Sequence, residues 1–387
     1  MHAAPLVEAR ERPVIDLLPA LAALSRGDVI DPRDVNEAGQ DLVALAERHG
    51  LTPLLAERAC GDPSLARLAA ALAGRARARA AADLVSEQAL REALNQLHRA
   101  SVPALVFKGA QLAYACYDRP DLRPRLDSDV LIRPADRERA GRALRDLGYR
   151  LAAQVEADLI MFQQMFVQGD PRAPSHVIDL HWRVTNPHEF GLSFDVDALF
   201  ARAVELPAIG PAARGLSVPD ALMVSLVHPV AHHGGTARVI WDLDTAALAR
   251  RMTPEDWDAC IDRLDTPRLA AIAVVRLERA REWGGAVLDP AVLSRLRQRA
   301  SPDELAALAA PARSEPEWRA FANGLRALPR WRDRARFLGQ HVAPSATYMR
   351  DVYAPGSRAP LPALYATRAV RGLLRWLGRA PHDRRSA

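Results

Sequence analysis

Three short segments of this 387-residue chain carry side chains able to act on a common target: Lys108-Gly109, Asp127-Ser128-Asp129 and Asp179-Leu180-His181. Side chains two apart on a strand point to the same side, so Asp127 and Asp129 present both carboxylates to one point while Ser128 faces away. Paired carboxylates suit Mg²⁺, which takes one or two of them together with substrate phosphate oxygens and water. A nucleoside triphosphate would complete such a site. A third carboxylate is normally needed to hold a second ion or to take the proton of an attacking hydroxyl. Asp179 is the best candidate, because in Val177-Ile178-Asp179-Leu180-His181-Trp182 the apolar residues alternate toward a core and Asp179 shares the opposite face with His181. With two ions, Asp127 and Asp129 would bridge both, Asp179 would hold the one that activates the acceptor, and in-line attack on the α-phosphorus would expel pyrophosphate.

The composition singles out a fourth group. Of 52 basic residues, Lys108 is the single lysine and the other 51 are arginine. Where Arg replaces Lys at every position needing only a positive charge, a surviving Lys marks chemistry that a guanidinium cannot perform, such as a compact point charge on phosphate. Gly109 lets the backbone approach a phosphate, and the helix expected to follow offers unpaired N–H groups at its start. Arg123 has a fork able to clamp two phosphate oxygens; the alternative is a salt bridge holding the loop before Asp127. His181 contacts the nucleotide, orients Asp179 or simply fills the strand face. For the aspartate pair, the alternative is a solvated strand end with its acids paired to Arg123 and Arg125.

Elements that position these groups follow from the local pattern. Residues 14–100 read as helices: Leu42, Leu45 and Ala46 mark one face of a helix stopped by His49-Gly50, Thr52-Pro53 caps and opens the next, and Leu65 to Arg99 continues the pattern. Ser101 to Phe107 is a buried strand, followed by a helix from Ala110 to Tyr117 and a polar loop from Asp118 to Leu126. Asp127 to Ile132 is a second strand, Asp136 to Gly148 a helix, and Tyr149 to Gln154 extended. Met161 to Gln168 and His176 to Val184 are further strands joined by a turn around Asp170. Helices return at Pro219 to His228, Val239 to Arg251, Pro254 to Leu264 and Arg268 to Trp283, with another starting at Ser314 to Glu317. The expected organisation is a helical region over 1–95, a small mixed-sheet α+β core over 96–205, a helical domain over 206–340 and a basic amphipathic tail over 341–387. In that tail Arg368, Arg371, Arg375 and Arg379 alternate with apolar residues, giving a packed helix with a solvated face or a surface for a membrane or partner.

Global properties exclude more than they assign. A net charge of +5 over 387 residues permits binding to nucleic acid without favouring it. Cys60, Cys116 and Cys260 lie far apart and form no disulfide or zinc pattern, which fits a reducing cytoplasm. No basic segment precedes an apolar run near the N-terminus and no stretch approaches 18 uncharged apolar residues, so neither export nor a transmembrane segment is expected. Two other pairs share the Asp-x-Asp spacing. Asp195-Val196-Asp197 precedes an apparent helix and reads as its cap. Asp242-Leu243-Asp244 lies inside a helix, where residues two apart diverge. His228 and His232 have the spacing of a helical zinc site, but without a glutamate in the HExxH frame they read as structural or pocket-lining.

In combination these motifs resemble the uncharacterised bacterial nucleotidyltransferase family of the polymerase-β-like superfamily. The resemblance spans residues 100–185: Lys108-Gly109-Ala110, Arg123-Pro124, Asp127 and Asp129, Gly148-Tyr149, and Asp179-x-His181-Trp182. It implies a polymerase-β-like fold with helical flanks, catalytic and metal-binding Asp127, Asp129 and Asp179, nucleotide contacts at Lys108, Gly109, Ala110, Arg123 and His181, Mg²⁺ or Mn²⁺, and an NTP donor. Ala110 departs from the wider superfamily, whose glycine turn continues with a serine hydroxyl. The acceptor is left open, a small molecule, sugar or peptide metabolite ahead of nucleic acid. The competing readings are a non-catalytic binding protein or scaffold on the same fold and a toxin-like enzyme modifying tRNA or protein.

Overall fold

The computed structural model describes residues 17–152, 159–170, 173–191, 193–233, 238–309, 317–354 and 359–376. The extreme N-terminus, Gln154, the turn residue Pro171, the helix start expected at 314–316 and the end of the basic tail lie outside them. Four helices open the chain: α1 (Leu18–Arg26), α2 (Pro32–His49), α3 (Thr52–Cys60) and α4 (Ala66–Arg99). As expected, α2 buries Leu42, Leu45 and Ala46 and stops at Gly50, whose φ of 71° lies in the left-handed region that glycine enters without penalty. The start of α3 differs: Leu51 is its cap residue and makes no side-chain cap bond, so Pro53 contributes more than Thr52. At 34 residues and about 1.5 Å per residue, α4 is about 50 Å long. Its Leu68 and Leu72 pack in the N-terminal bundle, while Leu90, Leu94 and Leu97 pack under the sheet.

The sheet contains β1 (Ala104–Phe107), β2 (Ser128–Ile132), β3 (Arg150–Leu151), β4 (Gln163–Asp170), β5 (Ala173–His181), β6 (Val204–Glu205) and β7 (Arg214–Gly215), in the order β3-β4-β5-β2-β1-β7-β6. Helix α5 (Lys108–Ala115) follows β1, α6 (Arg137–Asp146) follows β2, and the short α7 (His188–Gly191) and α8 (Val196–Ala201) precede β6. Pairs β1/β2 and β4/β5 are antiparallel, whereas β2/β5 and β1/β7 are parallel. The sequence pattern missed β6 and β7, which are two residues each; β7 lies beyond the boundary expected at residue 205. Alternation along the strands divides the core. Val106, Val130, Ile178 and Leu180 pack on α4 and α6, while Leu105, Phe107 and Leu131 turn to the other face.

That second face is covered by helices. Here α9 (Val218–His233), α10 (Val239–Ala249), α11 (Pro254–Arg263), α12 (Pro267–Gly284), α13 (Pro290–Arg299) and α14 (Pro302–Ala309) succeed one another. Then come α15 (Glu317–Ala327), α16 (Trp331–Val342), α17 (Ala346–Tyr353) and α18 (Leu361–Trp376). Residues of α9, α11, α12 and α13 join the cluster around Phe107 and Leu131, whereas Val239, Ile240, Trp241 and Leu243 of α10 join the N-terminal bundle. In α18, Arg368 donates to Tyr353 Oη at 3.2 Å and to the His341 carbonyl at 3.1 Å, so this part of the tail packs on the preceding helices. Among the described residues no helix is long and apolar enough to cross a membrane.

One close approach fixes how α10 lies on α12. A β-carbon at Gly284 would stand 2.5 Å from the Asp242 carbonyl oxygen and 2.8 Å from Ala246 Cβ. Because backbone must then move, Gly284→Ala is expected to lower stability by about 1–3 kcal/mol. The comparison is Gly74→Ala in α4, where nothing lies within 4 Å of the added carbon. There helix propensity predicts a gain of up to about 1 kcal/mol, and thermal unfolding of the two variants should shift in opposite directions.

Candidate active site

The end of β1 and the register of β2 on β5 build the site. Antiparallel pairing sets Phe107 opposite Asp129, and parallel pairing sets Asp129 beside Asp179 and Leu131 beside His181. Asp129, Asp179 and His181 thus emerge on one face of neighbouring strands. The chain turns directly from β1 into α5, so helix begins at Lys108, two residues earlier than expected. Lys108 takes a φ of 51°, a left-handed conformation that non-glycine residues rarely adopt and that costs about 1–3 kcal/mol. In that conformation its Nζ donates to Asp129 Oδ1 at 2.7 Å and lies 3.5 Å from His181 Nε2.

His181 Nε2 lies 3.0 Å from Asp129 Oδ1 and 3.3 Å from Asp179 Oδ2, and its ring stands edge-on to Phe107. One ligand atom from each of Asp129, Asp179 and His181 falls within 4.8 Å of the others, a grouping able to hold a metal ion. The three-carboxylate set expected from sequence has Asp127 where this grouping has His181, expected at the nucleotide. Asp127 stands outside this triplet because it precedes the first residue of β2, and the strand pleat no longer fixes its direction. Asp179 is held from the side by Gln163 of β4, whose Nε2 donates to Oδ2 at 2.6 Å. Gln163 Oε1 in turn accepts from Asn186 Nδ2 at 3.1 Å. Sequence reasoning missed both amides, and an isolated glutamine on a strand offers no motif that would have revealed them.

Electrostatics divides the carboxylates. Burial opposes the charge on Asp129, but the Lys108 ammonium and the His181 hydrogen bond outweigh it and hold the carboxyl well below its ordinary range. Burial and Lys108 likewise oppose a proton on His181, yet the carboxylates of Asp179 and Asp129 prevail and raise its pKa. Asp127 is exposed to water at the entry to β2, in the field of the Asp129 and Asp179 carboxylates. Desolvation there, then the like charges of Asp129 and Asp179, push its carboxyl up to about 6. Asp179 Oδ1 and His181 Nδ1 are buried without a hydrogen-bond partner, an arrangement that is costly unless a ligand meets them.

Other expected groups have different surroundings. Arg123 is buried, and its guanidinium grips Asp244 through Nε at 3.0 Å and Nη2 at 2.7 Å, while Tyr117 Oη donates to the same carboxylate at 2.7 Å. The salt-bridge alternative therefore describes Arg123, with its partner on α10. A β-carbon at Gly109 would lie 3.1 Å from Arg123 Nη1, so the glycine makes room for this clamp. Ala110 is fully buried in the core on the α4 face, leaving only its backbone N–H, among the first of α5, to reach a ligand. Of the other Asp-x-Asp pairs, Asp195 caps α8 by accepting from the N–H groups of Asp197 and Ala198. Asp242, pointing away from Asp244, pairs with Arg276 at 2.8 Å and Arg279 at 3.0 Å.

Residues 36–285 match the model of the uncharacterised nucleotidyltransferase family, and the chain belongs to that family. The match takes in the sheet, α4 to α12 and every site residue named above. It defines a transferase of the nucleotidyl-transferring kind on an α+β fold with helical regions on both sides. No curated protein matches the chain.

The raised pKa of Asp127 has a thermodynamic consequence of definite sign. A carboxyl whose folded-state pKa of about 6 exceeds its ordinary 3.8 binds protons more tightly in the folded state. Stability therefore falls as pH rises through that interval, and the full penalty is present above it. In chelator-containing buffer, Asp127→Asn should raise the melting temperature at pH 7.5, and the gain should vanish near pH 3.5. An equal gain at both pH values would show that the carboxyl titrates normally.

Proposed function

We propose that the protein is a divalent-metal-dependent nucleotidyltransferase that moves a nucleoside monophosphate from an NTP to a hydroxyl or phosphate of an acceptor and releases pyrophosphate. The observation that carries this reading is the β2/β5 register, which stands Asp129 beside Asp179 against the Lys108 turn. The acceptor class favoured by the modest net charge is a small molecule, sugar or peptide metabolite.

The residues fit a divalent cation. Asp129 and Asp179 supply hard oxygen donors, Asp179 Oδ1 is buried and unpaired, and the Lys108 ammonium already offsets charge at Asp129. Asp129, Asp179 and His181 would hold the ion, with the Asp127 charge acting from the entry to β2. The imidazole widens the choice from Mg²⁺ toward Mn²⁺, because nitrogen donors suit transition ions. When bound, the ion neutralises phosphate charge and eases loss of the acceptor's hydroxyl proton.

The chain's own groups do the remaining work. Lys108, once a cation shares Asp129, directs its ammonium to phosphate oxygens, and the first N–H groups of α5 add donors at a helix start. Gln163 and Asn186 keep Asp179 from rotating. The proton of the attacking hydroxyl would pass to a carboxylate of the site, Asp127 being the one that desolvation and its like-charged neighbours make more basic than usual. As the acceptor oxygen bonds to the α-phosphorus, the bond from that phosphorus to its bridging oxygen breaks, and the electron pair leaves with pyrophosphate.

Asp129→Asn and Asp179→Asn should each reduce metal-dependent release of pyrophosphate from NTP by about a thousandfold, equivalent to roughly 4 kcal/mol of charge stabilisation. Turnover at the wild-type rate in both variants would reject the site. Lys108→Arg keeps the charge but brings a larger, forked group. It is expected to weaken nucleotide binding measured by calorimetry, while unchanged affinity would assign the lysine to structure alone.

A further inference from the structure

Two histidines near the site each have a ring nitrogen that no group among the described residues meets. His228 and His232 stand one helical turn apart on α9 with ring centroids 5.1 Å apart. Trp241 backs them, lying edge-on to His228 at 5.8 Å and against His233 at 4.7 Å. His228 Nδ1 and His232 Nε2 are buried without a hydrogen-bond partner. Each such orphan costs about 1–3 kcal/mol, which an apolar side chain would avoid. Pro229, between them, also denies α9 the hydrogen bond to the Ser225 carbonyl.

Their location suggests what meets them. Helix α9 packs on α5, the helix that starts with Lys108. Both rings lie within electrostatic reach of Lys108 and Asp129, and His232 also within reach of His181. Neither belongs to the triplet of Asp129, Asp179 and His181 that groups around a possible ion. A triphosphate needs more donors than one lysine provides, and Arg123 is already clamped on Asp244.

We infer that His228 and His232 bind the polyphosphate tail of the donor nucleotide. The inference rests on the nucleotidyltransferase reading and adds to it the residues that hold the leaving pyrophosphate group. Burial, then the Lys108 charge, keeps both rings neutral in the free protein, with His232 lowered to about 3. His181 and His233 push His232 in the same direction and Asp129 opposes them. A polyanion offsets these positive neighbours, and the carbonyl end of α9 then favours imidazolium rings in its last turns.

The test is calorimetric titration of the full chain with sodium tripolyphosphate, and separately with ATP and Mg²⁺, in the wild type, His228→Gln, His232→Asn and the double variant. The double variant should bind tripolyphosphate about tenfold or more weakly, equivalent to about 1.4 kcal/mol, and kcat/KM for NTP should fall by a similar factor or more. Binding within about twofold of wild type, on the same free-energy scale, overturns the inference. A second measurement does not depend on the variants being fully folded. In ¹⁵N-histidine spectra of the wild type, the His228 and His232 ring signals should move on adding tripolyphosphate, and stationary signals overturn the inference. If tripolyphosphate binding needs both histidines but no NTP yields pyrophosphate, the polyphosphate site stands and the transferase reading falls.

Discussion

Like charges held side by side are the constraint on which this structure turns. Two carboxylates about 4 Å apart repel by about 4 kcal/mol at an effective dielectric of 20, and Asp127 adds a third charge within range of Asp129 and Asp179. The fold brings them together through backbone pairing, since neither β2 nor β5 can slip by one residue without turning its own aspartate into the apolar layer beneath α4 and α6. It then neutralises part of the repulsion with Lys108 and His181. The unpaired Asp179 Oδ1 and the raised pKa of Asp127 mark where neutralisation is incomplete. That remaining negative potential is what a bound cation would relieve, so the features that strain the site are those the proposed metal reading uses.

The helical flanks take part in this arrangement. Arg123, from the loop just before the paired aspartates, reaches Asp244 on α10, while neighbouring residues of α10 pack into the N-terminal bundle. A buried arginine–carboxylate pair adds little net stability over an apolar replacement, but breaking it by removing one partner costs about 3–5 kcal/mol. Its use here is positional. Gly109 admits the guanidinium against the turn, Tyr117 completes the carboxylate's bonds, and the loop before Asp127 is tied to a helix far away in sequence. With α4 joining bundle to sheet from the opposite side, a displacement of the flanks would reach the Lys108 turn.

Local pattern made much of this legible. The strands with apolar alternation, the helices from α9 to α12, and Asp195 as a cap all follow from periodicity and end signals that act within a few residues. Asp129 and Asp179 were visible because strand pleating fixes side-chain direction, Asp127 by its spacing from Asp129, and Lys108 by composition as the single lysine. What stayed hidden depends on distant partners. Nothing near Arg123 announces Asp244, nothing near Asp179 announces Gln163, and strands as short as β6 and β7 contain too few residues for a pattern. His181 shows the limit most clearly. Its face was readable from spacing, but its place among possible metal ligands emerged only when Asp129 was laid beside Asp179 in register.

Among 51 arginines the lone lysine is explained by space as well as charge. Its ammonium lies 2.7 Å from Asp129 Oδ1 and 3.5 Å from His181 Nε2, at the point where β1 gives way to α5. A guanidinium presents a planar fork wider than that gap and binds carboxylates through two parallel bonds. Such a grip would compete with a cation for Asp129, as Arg123 shows by holding Asp244 so closely that burial and ion pairing leave it no other anion. An ammonium makes single, easily exchanged bonds through three donors on a flexible stem. It offsets Asp129 in the free protein, and in the proposed reaction it would be free to turn to phosphate once a cation shares that carboxylate. The left-handed backbone at Lys108 is the strain accepted to place that movable charge, and it is sustained by a register that β1, β2 and β5 fix around it.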